Sequence, residues 1–138
     1  MLFRSVGVTL LLKGEPEAAL VAFAQEGDKE YRLKGTAMAL YTMGKEAEFE
    51  AAVAELLNRL GDAWPLDMAE VNAWAGDRDD AFEWLEKEME INGSLAGVGS
   101  DRLFMNLHDD PRWLPFLEKA GASADQLDAI EFDVTLPD

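Results

Sequence analysis

The chain has no cysteine and only one histidine. The first absence excludes disulfides, thiolate metal sites and a cysteine nucleophile, and leaves the redox compartment open. The second leaves His108 to serve alone in any triad or imidazole metal centre. Positive charge is also scarce. Twelve Lys and Arg face 28 Asp and Glu, for a formal charge of −16. That field repels nucleic-acid phosphates and anionic lipid headgroups, so neither nucleic acid nor membrane is an expected partner. An apolar or basic protein or peptide fits better. Solubility, or a salt-rich cytosol, is the plainer reading of the same charge. No run approaches the roughly 18 apolar residues of a membrane span. Met1 to Leu12 has the short apolar core of a signal peptide. However, Gly14-Glu15-Pro16-Glu17 stands where a small-residue cleavage site is required, and Phe3, Val6, Gly7 and Leu10 keep a helical period. A first structural helix and a cytoplasmic location are expected.

What the chain does have is 49 % hydrophobic residues, enough for a packed core within 138 residues. It also has a repeated layout. Gly14, Gly44 and Gly76 each close one apolar helix-like stretch and precede another, at intervals of 30 and 32 residues. A period near 34 residues with two helices per unit marks an array of stacked helical hairpins. The spacing predicts helices ending near Lys13, following Pro16, covering about 30–43 and 46–60, following Pro65, and starting at about Asp77. Residues 94–107 are weakly patterned and read as one irregular helix. Asp110-Pro111 reads as cap and first helical residue of a short helix carrying Trp113, Leu114, Phe116 and Leu117. Ser123-Ala124-Asp125-Gln126 reads as a capping box opening a last helix, with Phe132, Val134 and Leu136 alternating in an extended tail. With no linker or low-complexity tract, the expectation is one all-α domain. Residues 1–93 form three hairpins in a right-handed superhelical stack, and residues 94–138 form an atypical helical cap.

The unit Gly76-Asp77-Arg78-Asp79-Asp80-Ala81-Phe82-Glu83-Trp84-Leu85 resembles a tetratricopeptide repeat. In that motif a small residue midway along the first helix and another early in the second allow close crossing. Gly7, Ala37 and Ala69 match the first position, and Ala19 and Ala81 the second. Phe49 departs from it, which implies a shifted crossing. Phe23, Val53 and Leu85 match the later large position, whereas Glu26, Leu56 and Glu88 replace the usual small residue after it. The stretch from Ala69 to Gly121 is similar to the C-terminal repeats of bacterial adenylate cyclases and winged-helix regulators. Those run from such a unit into elements like Asp101-Arg102-Leu103-Phe104 and Asp110-Pro111-Arg112-Trp113. The resemblance implies a protein-interaction or scaffold module that is not an enzyme and carries no cofactor, with a regulator fragment as one context. A small-molecule sensor domain controlling an attached effector is the alternative.

No residue pattern in the chain makes a catalytic case. His108 stands beside Asp109 and Asp110, but a metal site draws three or four ligands and base catalysis needs a second organised group. Gly97-Val98-Gly99-Ser100 lacks the third glycine and the lysine of a phosphate loop. Asp77, Asp79 and Asp80 lack the glycine and twelfth-position glutamate of a calcium loop, and read as a helix start. In the repeat's register the first helices of the hairpins line a concave wall of Val8, Leu12, Tyr31, Lys34, Met38, Tyr41, Leu66, Glu70 and Trp74. Such a wall suits a helix or extended peptide, because aromatic and Met anchors dominate contact energies. The lysine- and asparagine-rich clamp that some relatives use for acidic peptide ends is absent, since Val8 and Met38 occupy asparagine positions. The tail, or a second copy in a homo-oligomer, is an alternative cover for the same wall.

Overall fold

The computed structural model describes residues 2–60, 63–93, 95 and 98–123, with the side chains of residues 2–5 and 100 left aside. Among the described residues all regular structure is helical. In order come α1 (Leu2–Leu12), α2 (Pro16–Ala24), α3 (Lys29–Thr42), α4 (Glu46–Leu60), α5 (Pro65–Trp74), α6 (Arg78–Asn92), two 3-10 helices (Val98–Ser100 and Arg102–Leu107) and α7 (Trp113–Lys119). The pairs α1/α2, α3/α4 and α5/α6 pack as hairpins. Each second helix also meets the first helix of the next pair, and α1 touches α3 as α3 touches α5. The fold is therefore an all-α stack of helical hairpins.

The repeated glycines make the hairpin turns. At Gly76 φ is +79°, a conformation that costs an L side chain roughly 1–2 kcal/mol. Its N–H donates to the Ala73 carbonyl at 3.1 Å, and the Asp77 N–H donates to the Asn72 carbonyl at 2.9 Å. This Schellman pair satisfies carbonyls that the helix end would otherwise orphan. Gly14 and Gly44 repeat both bonds, as does Gly121 after α7. Starts are marked as well. Pro16 and Pro65 open their helices, and Asp28 accepts the Tyr31 N–H at 3.0 Å.

Small residues set how closely the helices stack. Ala19, Ala37, Ala69 and Ala81 are wholly buried. The tightest approach involves a residue outside the repeat pattern. The fully buried Phe23 ring of α2 lies between Gly7 of α1 and Gly35 of α3. A Cβ at Gly7 would stand 2.6 Å from that ring, and one at Gly35 only 2.2 Å. In the middle hairpin Phe49 stacks on Tyr41 at 5.2 Å, while Ala52 takes the buried position one turn on.

The segment after Asn92 departs from expectation in two places. Between 98 and 107 the chain does not make one irregular helix. That stretch holds the two 3-10 helices, the second capped by Asp101, which accepts the Leu103 N–H at 3.0 Å. The short helix starts at Trp113 and not at Pro111, because Asp110 accepts the Arg112 N–H at 2.9 Å and folds 110–112 into a turn. The buried rings of Phe104 and Trp113 then meet at 6.2 Å, and Phe116 meets Phe82 edge-on, closing the last hairpin. The last helix and alternating tail expected beyond Ser123 lie outside the described residues.

Candidate partner-binding face

Helices α1, α3 and α5 line one side of the stack, and the expected wall residues fall into three groups there. Tyr41 is exposed, while Val8, Leu12, Tyr31, Leu66 and Trp74 are half-buried. Met38 is wholly buried, with Lys34 and Glu70 at 5 % and 9 % exposure. The middle of the wall is therefore core, and a partner cannot reach Met38. The register expected Met38 outward, but it packs in one cluster with Leu11, Phe23, Met68 and Leu103, the last from the second 3-10 helix, which packs on α5. Asn106 of that segment donates to the Ala73 and Trp74 carbonyls at 3.0 and 3.2 Å.

A buried charged quartet fills the centre. Lys34 Nζ reaches Asp67 at 2.7 Å and Glu70 at 2.5 Å. Burial alone would lower the Lys34 pKa, but the Glu70 and Asp67 carboxylates outweigh it and hold the ammonium above its ordinary range. Burial pushes the Glu70 carboxyl up to about 8, aided by a hydrogen bond with Asp101 and opposed by Lys34. At neutral pH the Glu70 carboxyl, raised in this way, mostly keeps a proton. The quartet joins α3, α5 and the capped 3-10 segment.

On either side of this plug the face opens into a hollow. The larger, about 720 Å³, lies at the C-terminal ends of α1, α3 and α5. Leu12, Tyr41 and Trp74 line it together with Arg102, Leu103, Met105 and Asn106. Trp74 Nε1 donates to Thr42 Oγ at 2.9 Å, and that hydroxyl donates to the Met38 carbonyl, so the indole is fixed with its polar edge satisfied. Tyr41 and Met105 stand on the rim, 41 % and 52 % exposed. Arg102 and Glu46, both exposed, add one charge of each sign. The smaller hollow, about 260 Å³, lies at the N-terminal ends of α3 and α5, between Tyr31 and Trp64. Val8 and Leu66 line neither hollow and pack against the cores.

The first-helix register identifies Leu12, Tyr41 and Trp74 together, but it omits the wall contributed by residues 102–106. One signal was available: Asp101 precedes Leu103, Phe104 and Leu107, an acidic cap before an apolar face. Trp64 was also missed, because it precedes the helix-opening Pro65 and so falls outside the helical register.

His108 stacks on Trp113 with ring centroids 4.8 Å apart. The acids beside it are engaged by arginines. Arg78 reaches Asp109 at 2.9 Å, and Arg112 grips both Asp110 oxygens at 3.0 Å. The Arg112 contacts, side chain first and backbone second, lower Asp110 to a pKa of about 2. Arg112 also reaches Asp79 at 2.9 Å and covers the Phe82 ring at 4.5 Å. Among the described residues no group of three or more His, Asp or Glu is placed to hold a metal ion, and no helix is long and apolar enough to cross a membrane.

Comparison with protein-family models, curated proteins and solved structures returns no match to this chain.

Proposed function

We propose that the chain is a non-enzymatic protein-interaction module of the tetratricopeptide kind, which holds an apolar-anchored peptide or partner segment in the larger hollow. The observation that carries this reading is the hollow's open rim. Tyr41 and Met105 present apolar surface to solvent above a floor of Leu12, Trp74 and Leu103. Burying each large side chain of a ligand there yields roughly 1.5–3 kcal/mol before ordering costs, which puts micromolar affinity within reach of two or three anchors. The exposed rim favours a chain that lies across the hollow over a small molecule enclosed by it, so the sensor reading ranks second.

The test is selection of peptides from a random displayed library, followed by calorimetry on the winners. Tyr41→Glu and Met105→Glu are the discriminating variants, because both side chains are exposed, with circular dichroism checking that each variant stays folded. The expected outcome is micromolar peptides whose affinity falls at least about ten-fold in either variant. Selected peptides that bind both variants as well as wild type would rule this hollow out.

A further inference from the structure

The smaller hollow differs from the larger in charge and in wall chemistry. It is built where α3 and α5 begin, and three carboxylates surround it: Asp28, Glu30 and Asp67. One ammonium, Lys34, lines it, and Asp67 and Glu70 already hold that ammonium at 2.7 and 2.5 Å. By side-chain count the lining has three carboxylates to one ammonium, and with Asp28 capping α3 and Asp67 on Lys34 it is Glu30 that can meet a ligand, whereas the larger hollow balances Glu46 against Arg102. Its walls are aromatic. The Tyr31 ring has Lys34 Nζ 5.2 Å from its centroid, so it already accepts a cation. Trp64 is 60 % exposed, which leaves much of its indole within reach of a ligand. Indole is the side chain best suited to hold a cation over its ring. Glu30 meets Arg59 at 3.6 Å with both groups over 40 % exposed, a pair worth little and easily exchanged.

We propose that this hollow is a cation subsite that receives an arginine or lysine side chain of the partner, between Trp64 and the Glu30 carboxylate. A volume of about 260 Å³ accommodates one guanidinium or ammonium head with part of its stem. The chain's net charge of −16 draws a basic partner toward the protein as a whole. This deepens the peptide reading above and rests on it for the identity of the carrier. Tyr31 and Tyr41 are ten residues apart on α3, about 15 Å along the axis. An extended chain covers that in four or five residues. The recognised segment thus carries a basic residue four or five positions from its large apolar anchor.

The subsite is tested without any peptide, by titrating the intact chain with N-acetyl-arginine amide and its neutral isostere N-acetyl-citrulline amide while following the Trp64 indole N–H by NMR. Saturable movement of that resonance by the arginine probe is expected, with the citrulline probe at least about ten-fold weaker. Glu30→Gln weakens the arginine response about three-fold or more, and added salt does the same. Equal response to the two probes, or none at Trp64, would overturn the subsite. A response here with no peptide selected at the Tyr41 hollow would instead sink the peptide reading and leave the cation site standing. In selected peptides, replacing the basic residue by citrulline should cost affinity in wild type and clearly less in Trp64→Ala, where only Glu30 still meets the cation. An equal cost in both proteins counts against the proposal.

Discussion

Replacing Gly35 by alanine should destabilise the protein even though it improves the helix. In an unpacked helix the change gains about 1 kcal/mol. Here the new Cβ would stand 2.2–2.4 Å from three atoms of the Phe23 ring, more than an ångström inside ordinary contact. Retreat is limited, because a Cβ placed on Gly7 would also lie 2.6–2.9 Å from the same edge of the ring, at Cε1, Cζ and Cδ1. Two backbones hold one ring, so relief requires α1 and α3 to separate. Overpacking costs about 1–3 kcal/mol, and a contact this short held on two backbones falls at the upper end, about 3 kcal/mol. The net loss is about 2 kcal/mol, which lowers Tm by several degrees in a domain of this size. The argument is sharpened by a double-mutant cycle. Phe23→Ala alone should cost about 3–5 kcal/mol, since the ring is wholly buried. Against that background Gly35→Ala should become neutral or stabilising, giving a coupling of about 2 kcal/mol or more. Urea titration followed by circular dichroism measures all four corners. Additive effects, or a single Gly35→Ala variant as stable as wild type, would refute the wedge.

Three further outcomes follow from the same geometry. Glu70 has a folded pKa raised from 4.5 to about 8, so its contribution is fully present below pH 4.5 and is lost as pH rises to about 8. Glu70→Gln should flatten the pH dependence of Tm across that window, and an unchanged profile would show that Glu70 ionises there without penalty. Asp110 has the opposite sign. Its pKa is lowered from 3.8 to about 2, so its contribution is present above 3.8 and fades as pH falls through 2. Arg112→Ala should return the Asp110 carboxyl towards its ordinary range in a carbon-detected NMR titration. Gly76→Ala should cost about 1–2 kcal/mol by chemical denaturation, because φ is +79° there with no clash around the added methyl to blame.

The turn glycines made the hairpins legible in the sequence. A glycine after an apolar helix and an acidic or proline-led restart is a local code, and the chain executes it at Gly14, Gly44 and Gly76. The buried alanines were legible for the same reason, through their fixed place in the unit. What escaped depends on partners distant in the chain. Gly35 reads as a weak helix residue until Phe23, twelve positions earlier, is seen against it. Lys34 and Glu70 read as surface charges, because nothing in a helical period shows that Asp101 and the second 3-10 helix close over them. The expected wall was drawn as one continuous surface, where burial of Met38, Lys34 and Glu70 divides it in two.

The two ends of the stack are joined by unlike means. Phe23 between two glycines is an apolar joint, indifferent to ions. The turn between the last hairpin and α7 is drawn together by Arg78 and Arg112 on Asp79, Asp109 and Asp110, with Asp79 and Asp109 88 % and 79 % exposed. Added salt weakens the second and leaves the first intact or stronger. Ionic strength thus acts on the exposed arginine pairs alone, while the Phe82, Phe104, Trp113 and Phe116 rings beneath them keep their grip as Phe23 does.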